Sequence, residues 1–282
     1  MLDHLASFSL PPLLLTSPTL HTRSDDCWAA ASVGTREPGS LTAARSRRVS
    51  AEQNGGELTQ LSLGLVGPAQ SDHLYHFTGR NGARPSWVPP QIQQMTAQAR
   101  LDGILREERF LAFAPFGAAM ACVCFSESPP DHLGHLIRTG RFEPWGVVTS
   151  RASLLGIGGG SVAYVPDDVH ASFSEAGLGH WAVRTGSGSV WMHEREWRLP
   201  SPDGARGIGG LAAILVGDVS WRPSPVVTGW EDGSTGQPLP GPEGNPYAQP
   251  VWELPRLWRV SQIWVWDAAS GSPERYGPGV LR

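Results

Sequence analysis

The segment VWMHEREWRL, residues 190 to 199, is the stretch from which the fold is best inferred. Apolar and polar residues nearly alternate along it, and this alternation is typical of a half-buried β-strand. Residues two apart in a strand point to the same face of the sheet. Glu194, Glu196 and Arg198 are therefore expected on one face of a long strand, with the intervening residues on the other face.

The two glutamates of this segment pose an electrostatic problem. Neighbouring carboxylates repel each other and raise each other's pKa unless a cation or a ligand lies between them. Two interpretations are open at this point. The segment is either a solvent-facing strand with arginine partners or a site in which the carboxylates perform chemistry. The spacing alone favours the first interpretation.

The rest of the chain supplies further strands and short helices. Alternation and short apolar runs predict strands at HLYHFT (73 to 78), MACVCF (120 to 125), WGVVTS (145 to 150), 161 to 165, 211 to 221 and 262 to 267. Apolar spacing and flanking prolines predict helices at 91 to 108 and 129 to 141, with a helical turn at 151 to 155. No regular βαβ repeat occurs. The predicted fold class is α+β, with a mixed, mostly antiparallel sheet and short helices.

Composition divides the chain into a tail and a working domain. Residues 1 to 70 contain one of the twelve tryptophans and lack a sustained periodicity, so we predict a disordered or loosely docked tail. Residues 71 to 282 form the predicted domain. Within it, residues 222 to 255 contain eight prolines, and this Pro-rich insertion is expected to be a functional lid or a disordered insertion.

Charge and residue usage exclude several classes of function. The formal net charge is −4 and the chain contains no lysine, so a Walker A lysine and a lysine Schiff base are excluded. No apolar stretch approaches the ~20 residues of a membrane span. Three cysteines give no disulfide framework. We therefore expect a cytoplasmic protein without a membrane partner.

Metal binding is not expected from the histidine spacing. His132 and His135 could share one face of a helix, as a zinc pair would, but a third and a fourth ligand are not found at a suitable spacing. His73 and His76 lie three apart in a predicted strand, where they would point to opposite faces. The loop GIGGG (156 to 160) precedes a strand and lacks a following Gly-Lys, so we interpret it as a turn.

Four short motifs occur in an order that resembles a known family. YHFT (75 to 78), CFSESP (124 to 129), WGVVTS with the following GGGSVAYV (158 to 165), and EREWR (194 to 198) are similar to a bacterial family linked to abortive phage infection. The resemblance covers about residues 74 to 200. YHFT together with the Glu-x-Glu pair is also distantly similar to ADP-ribosyltransferases, which implies an ADP-ribosyltransferase-like domain that uses NAD as its substrate.

The resemblance assigns roles to individual residues. His76 would hold the ribose hydroxyls of NAD, Glu196 would be the catalytic carboxylate, and Glu194 would be the accessory carboxylate. Ser126 would stand at the position of the middle serine motif.

Two further cofactor-binding assignments follow from the same resemblance. Thr78 shares the predicted face of His76 and would help to fix the ribose. The tyrosine that clamps the nicotinamide in His-type transferases has two candidates here, Tyr164 and Tyr75. This arrangement requires His76 and Glu196 to lie on neighbouring strands and to face one cleft.

Three functions are compatible with these motifs. The first is NAD-dependent ADP-ribosyl transfer to an unknown macromolecular acceptor, a protein or a nucleic acid, in anti-phage defence or as a toxin. The second is a non-catalytic defence or antitoxin protein that keeps the fold and binds a partner protein. The third is an NAD glycohydrolase, in which water is the acceptor. Release of nicotinamide from NAD separates both enzymes from the binding protein.

Overall fold

The computed structural model describes most of the predicted domain. All described residues belong to one compact unit, Gln60–Arg282. The prediction of a tail at 1 to 70 lies outside the described residues except for its last two positions. The described ranges are 69–80, 88–115, 118, 120–186 and 191–281.

The described residues form strands and short helices in alternation. The strands are β1 (His73–Phe77), β2 (Arg109–Leu111), β3 (Cys122–Glu127), β4 (Gly146–Ser150), β5 (Gly160–Ser161), β6 (Ala163–Val165), β7 (Ala182–Arg184), β8 (Glu196–Pro200), β9 (Ala205–Gly207), β10 (Ala213–Val216), β11 (Val226–Asp232), β12 (Pro238–Leu239), β13 (Ala248–Glu253), β14 (Gln262–Asp267) and β15 (Ser272–Tyr276). The helices are α1 (Pro90–Gln94), α2 (Ala97–Glu107), α3 (Pro130–Arg138), α4 (Arg151–Gly156), α5 (Asp167–Glu175) and α6 (Arg256–Val260). Two 3-10 turns lie at Gly179–Trp181 and Met192–Glu194.

A sheet of eight strands organises the domain. Its order is β15-β14-β10-β4-β1-β3-β8-β5. β10 and β14 pair in parallel, whereas the other neighbours in this sheet pair antiparallel. The predicted α+β class with a mixed, mostly antiparallel sheet is therefore confirmed.

Helices cover both faces of this sheet. On one face, Leu101 of α2 and Trp258 of α6 pack in a core cluster with Val147 and Ile214 of the sheet. On the other face, Leu133 of α3 packs with a second cluster that includes several sheet residues. Burying a large apolar side chain contributes about 1.5–3 kcal/mol. The sheet is thus fixed from two sides, so the face to which each side chain points is well defined.

The prediction of one long strand at residues 190 to 199 is wrong for its first half. The strand β8 begins only at Glu196, and Met192–Glu194 forms a 3-10 turn. Arg195 joins the two with φ 43° and ψ 56°, a left-handed conformation. A left-handed residue interrupts the two-residue alternation, so Glu194 does not share a strand face with Glu196.

The helix predicted at residues 91 to 108 is interrupted once. α1 ends at Gln94 and α2 begins at Ala97. Thr96 is the N-cap of α2, and its hydroxyl accepts a hydrogen bond from the backbone N–H of Ala99 at 3.1 Å. A threonine that caps a new helix in this way cannot also continue the preceding one, because its own backbone is extended.

The predicted strand at residues 161 to 165 is also divided. β5 joins the eight-stranded sheet beside β8, whereas β6 pairs in parallel with β7. The chain therefore leaves the main sheet between these two short strands, and Tyr164 belongs to β6.

The Pro-rich insertion forms a small sheet of its own. β11 pairs with β12 and β13, with a bulge between Val227 and Gly229. Its turn is held by Asp232, whose carboxylate accepts hydrogen bonds from the N–H of Ser234 at 2.8 Å and from the side chain of Asn245 at 2.7 Å. Hydrogen bonds from the Ser234 hydroxyl, the Asn245 side chain and the Ser234 N–H lower the pKa of Asp232 to about 2. The alternative of a disordered insertion is therefore wrong.

Short helices are a general property of the described residues. The longest of the helices given above, α2, has 11 residues. Within the described ranges, no helix has the length and apolar character that crossing a membrane requires.

A glycine at the centre of the sheet gives the first testable prediction. A side chain on Gly146 would collide with the backbone oxygen of His76, so Gly146→Ala must push β1 away from β4. We expect a loss of about 1–3 kcal/mol in the free energy of unfolding. A Cβ on Gly103 of α2 meets nothing within 4 Å, so Gly103→Ala should instead add about 0.5–1 kcal/mol. Urea denaturation of both variants measures the two effects. Equal stability of the two variants would contradict the described packing of β1 on β4.

Candidate functional site

Three of the sequence motifs lie on adjacent strands. YHFT is on β1, CFSE is on β3 and EWR is on β8, and the sheet order is β1-β3-β8. In the register of these strands, Tyr75 faces Ser126 and Ser126 faces Glu196. Cross-strand partners point to the same side of a sheet. We call the side shared by these three residues the carboxylate face.

His76 lies on the side opposite to the carboxylate face. It follows Tyr75 in β1, so its side chain points the other way, and its ring contacts Phe110 and Phe125 at centroid distances of 5.1 and 5.7 Å. Its Nδ1 is 2.8 Å from the backbone oxygen of Cys124. Burial lowers the pKa of His76. The expectation that His76 and Glu196 lie on neighbouring strands and share one cleft is therefore wrong, because β3 separates them and their faces differ.

Thr78 lies on the side of His76 and is fully engaged in the fold. Its hydroxyl is 2.9 Å from the backbone oxygen of Ala97, the first residue of α2, and 3.2 Å from that of Trp145. The side chain is buried. The bond to Ala97 docks α2 onto β1, and this structural role accounts for the position of Thr78.

Glu196 is held by a two-point ion pair. Arg198 donates from Nε to Oε1 at 2.9 Å and from Nη2 to Oε2 at 3.0 Å. The guanidinium also donates from Nη1 to the backbone oxygens of His180 and Ala182. The side chains of Arg198 and Glu196 are 4% and 13% exposed. Arg198 is therefore the cation beside Glu196, and it fixes the orientation of this carboxylate.

Glu194 has a different environment from Glu196. Its carboxylate pairs with Arg80 at 2.7 Å, and its side chain is 15% exposed. Burial raises the pKa of Glu194, and the charge of Glu196 adds to this rise, while Arg80 opposes it. Glu194 is thus the carboxyl group in this pair that takes up a proton more readily than an ordinary glutamate.

Ser126 and Tyr164 connect directly to the two glutamates. The hydroxyl of Ser126 donates to the backbone oxygen of Glu194 at 2.7 Å and lies 2.9 Å from the hydroxyl of Ser128. The hydroxyl of Tyr164 accepts from the backbone N–H of Glu196 at 2.7 Å. Burial is the main reason that the pKa of Tyr164 rises to about 12. Four of the six predicted site residues therefore form one connected group, which we call the carboxylate cluster.

Of the two tyrosine candidates for a clamp, Tyr164 is the one that touches the glutamates. Tyr75 stands on the same face, but it is buried against the stacked ring of Phe77 at 5.7 Å and near Trp264 at 6.3 Å. Tyr75 is accordingly part of the core on this side of the sheet.

Sequence reasoning missed the residues that border the carboxylate cluster. The guanidinium of Arg80 lies 4.9 Å from the ring of Trp191 and 5.9 Å from the ring of Phe142, while it pairs with Glu194. Arg80 follows the YHFT motif by two residues and lies outside all four motifs. Cys124 was placed in a strand and in the CFSESP motif without a role in the site, yet the charge of Glu196 adds to the rise that burial causes in the pKa of its thiol.

The turn between the glutamates is fixed from the opposite face by Glu127. Its carboxylate accepts a hydrogen bond from Trp197 Nε1 at 3.1 Å and pairs with Arg195 at 3.3 Å. It also accepts from the backbone N–H of Ser71 at 3.1 Å. A left-handed non-glycine residue costs free energy and persists only where its surroundings hold it. Glu127 supplies that support, and sequence spacing gave no indication of it.

The geometry defines what the carboxylate cluster can do chemically. Two carboxyl groups stand at the start of one strand, one fixed by a guanidinium and one with a raised pKa. When two acidic groups lie in unlike environments, one of them often stabilises charge while the other transfers a proton. Within the described ranges, no group of three His, Cys, Asp or Glu side chains is placed to hold a metal ion.

Comparisons with known proteins add no identification. No protein family, no curated protein and no solved structure matches this chain. The geometry of the carboxylate cluster and the motif resemblance therefore carry the functional argument.

The raised pKa of Glu194 predicts a pH dependence of stability. The folded protein holds this proton more tightly than the unfolded chain, in which a glutamate titrates near pH ~4.3. As the pH falls through the folded pKa towards about 4, wild type should therefore gain stability relative to Glu194→Gln. At neutral pH the ionised, buried carboxylate costs stability, and the glutamine does not carry this cost. Urea midpoints of both proteins between about pH 7 and pH 4 test this. A stability difference that does not change with pH would contradict the described burial of Glu194.

Proposed function

We propose that this protein is an NAD-dependent ADP-ribosyltransferase whose active site is the carboxylate cluster. The observation that carries the proposal is the direct linkage of Ser126, Tyr164, Glu194 and Glu196 at the end of the three adjacent motif strands. The ADP-ribosyltransferase-like fold and the use of NAD as substrate rest on the motif resemblance, which the linkage supports.

The proposed reaction breaks the bond between nicotinamide and the ribose C1′ of NAD. The bonding electron pair leaves with nicotinamide, and C1′ acquires the positive charge of an oxocarbenium ion. The acceptor then forms a bond to C1′ and releases its proton. The protein has to stabilise the cation and receive the proton, and these tasks require two different groups.

Glu196 is suited to the first task. Its carboxylate is held in one orientation by two hydrogen bonds from Arg198, and its backbone is held by Tyr164. A negative charge that is fixed before the reaction stabilises a developing cation without the cost of reorganisation. Arg198 and Tyr164 act through Glu196 and are positioning residues in this proposal.

Glu194 is suited to the second task. Its pKa is raised by burial, which makes it a better proton acceptor than an ordinary carboxylate. Arg80, between the rings of Trp191 and Phe142, provides a cation and aromatic surface beside it. A dinucleotide presents planar rings and a pyrophosphate, which such groups bind. His76 and Thr78 are not included in this site, because they lie on the other side of the sheet.

The biological setting follows from the motif resemblance alone. We propose action in the bacterial cytoplasm, in anti-phage defence or as a toxin, on a protein or nucleic acid acceptor. The NAD glycohydrolase differs only in the acceptor, since water would take its place.

One observation favours a second function, that of a non-catalytic defence or antitoxin protein that binds a partner. Glu196 and Arg198 form hydrogen bonds with each other, and Arg198 also donates hydrogen bonds to two backbone oxygens. An ion pair of this kind stabilises a strand without any substrate. The two functions differ in whether the purified protein releases nicotinamide.

Substitution of the two glutamates tests the proposed function. Glu196→Gln should lower kcat for nicotinamide release on the order of a hundredfold to a thousandfold with little change in KM, because the carboxylate acts mainly in the transition state. Glu194→Gln should reduce transfer to an acceptor and spare hydrolysis, because an attacking water molecule can release its proton to the solvent instead of to Glu194. Nicotinamide release and transfer of labelled ADP-ribose measure the two reactions.

Glu253→Gln is the matched control, because Glu253 is an exposed carboxylate paired with Arg259 at 2.9 Å. This variant should keep wild-type rates. A wild-type protein that neither binds NAD nor releases nicotinamide would end the enzyme proposal and leave the partner-binding function.

A further inference from the structure

A cavity lies on the side of the sheet opposite to the carboxylate cluster. It has a volume of about 220 Å³ and lies between the end of β1, the helices α1 and α2, and the strand β2. Ile92, Met95 and Ile104 supply much of its apolar wall, and His76 supplies its imidazole. This cavity is separate from the proposed active site, because His76 and the carboxylate cluster lie on opposite faces of the sheet.

The imidazole of His76 has a defined hydrogen-bonding state. Its Nδ1 is 2.8 Å from the carbonyl oxygen of Cys124, and a carbonyl can only accept, so Nδ1 carries a proton. Burial and the nearby charge of Arg100 lower the pKa of His76, which keeps the ring neutral. The Nε2 of a neutral ring with a protonated Nδ1 is a hydrogen-bond acceptor.

The acceptor Nε2 has no protein donor within the described ranges. The interactions of His76 there are the bond to Cys124 and the ring contacts with Phe110 and Phe125. His76 lines the cavity, so a ligand in the cavity that donates one hydrogen bond can satisfy this acceptor. His76 therefore offers the cavity a neutral hydrogen-bond acceptor beside its apolar wall, and Thr78, Arg100, Glu107 and Arg109 complete the polar part of the lining.

The size and the walls limit what can bind. An engineered apolar cavity of about 150 Å³ binds benzene, so a space of this volume accommodates a ring compound. At the rim, Glu107 and Arg109 pair with each other at 2.7 Å, and both side chains are about half exposed. A charged ligand would disturb this pair or lose its hydration against the apolar wall. A neutral aromatic ring with one donor meets the requirements.

We propose that this cavity is a binding site for a small neutral aromatic compound that donates one hydrogen bond to His76 Nε2, of the phenol or indole class. The proposal does not rest on the proposed NAD chemistry. The cavity ligand is selected by shape, by apolar contact and by the single donor.

Calorimetric titration of the full chain with phenol and with toluene tests the site. The two probes have similar shape, and only phenol has a donor. Phenol should bind at least about fivefold more tightly, the effect of one hydrogen bond to a buried acceptor. Equal affinities of phenol and toluene, or no binding of either, would overturn the proposal.

A cavity-filling variant locates the binding. Met95→Trp places a larger side chain in the cavity wall and should abolish phenol binding. Met192→Trp is the matched control, because Met192 is 60% exposed and lies outside the cavity, so this variant should bind phenol as wild type does. His76→Phe should retain toluene binding and remove the preference for phenol. Unchanged binding in Met95→Trp would show that phenol binds elsewhere, and thermal unfolding curves establish that each variant is folded.

Discussion

The buried carboxylate of Glu127 is the interaction on which the arrangement of the carboxylate cluster depends. It binds the backbone at Ser71, the guanidinium of Arg195 and the indole of Trp197. Ser71 lies just before β1, Arg195 lies in the turn before β8, and Trp197 lies in β8. The side chain of Glu127 therefore connects the segment before β1 to the left-handed turn at Arg195. This turn places Glu194 and Glu196 in different environments. A buried carboxylate requires such donors, since leaving it unpaired would cost several kcal/mol.

The division between the glutamates is the chemically significant result of that turn. A continuous strand would have placed both carboxylates side by side on one face, where their repulsion needs a shared cation. The left-handed residue gives each its own arginine, Arg80 for Glu194 and Arg198 for Glu196. The two side chains have similar exposed fractions, 15% and 13%, so the partners are what distinguish their surroundings. Unlike partners give the cluster one fixed charge and one carboxyl group of raised pKa.

Local pattern predicted most of the fold, and the motif resemblance predicted part of the site. Alternation and apolar runs located β1, β3, β4 and β14, because each has a face set by its own sequence. Ser126, Tyr164, Glu194 and Glu196 were predicted together and lie together. The turn at Arg195 was not predictable, because its support comes from Glu127, 68 residues earlier in the chain. The separation of His76 from Glu196 was not predictable either, since the insertion of β3 between β1 and β8 and the register of the strands are set by tertiary pairing.

Cys124 is the point at which the two sides of the sheet meet. Its carbonyl oxygen accepts a hydrogen bond from Nδ1 of His76, and its thiol lies on the carboxylate face, where burial and then the charge of Glu196 raise the pKa of the thiol. A displacement of β3 at this residue therefore moves a contact on each face at once. If ligands bind at both faces, any coupling free energy that such a displacement transmits is reciprocal. The peptide unit of Cys124 is shared by the two faces of β3. Its stiffness therefore determines how independently the two faces behave.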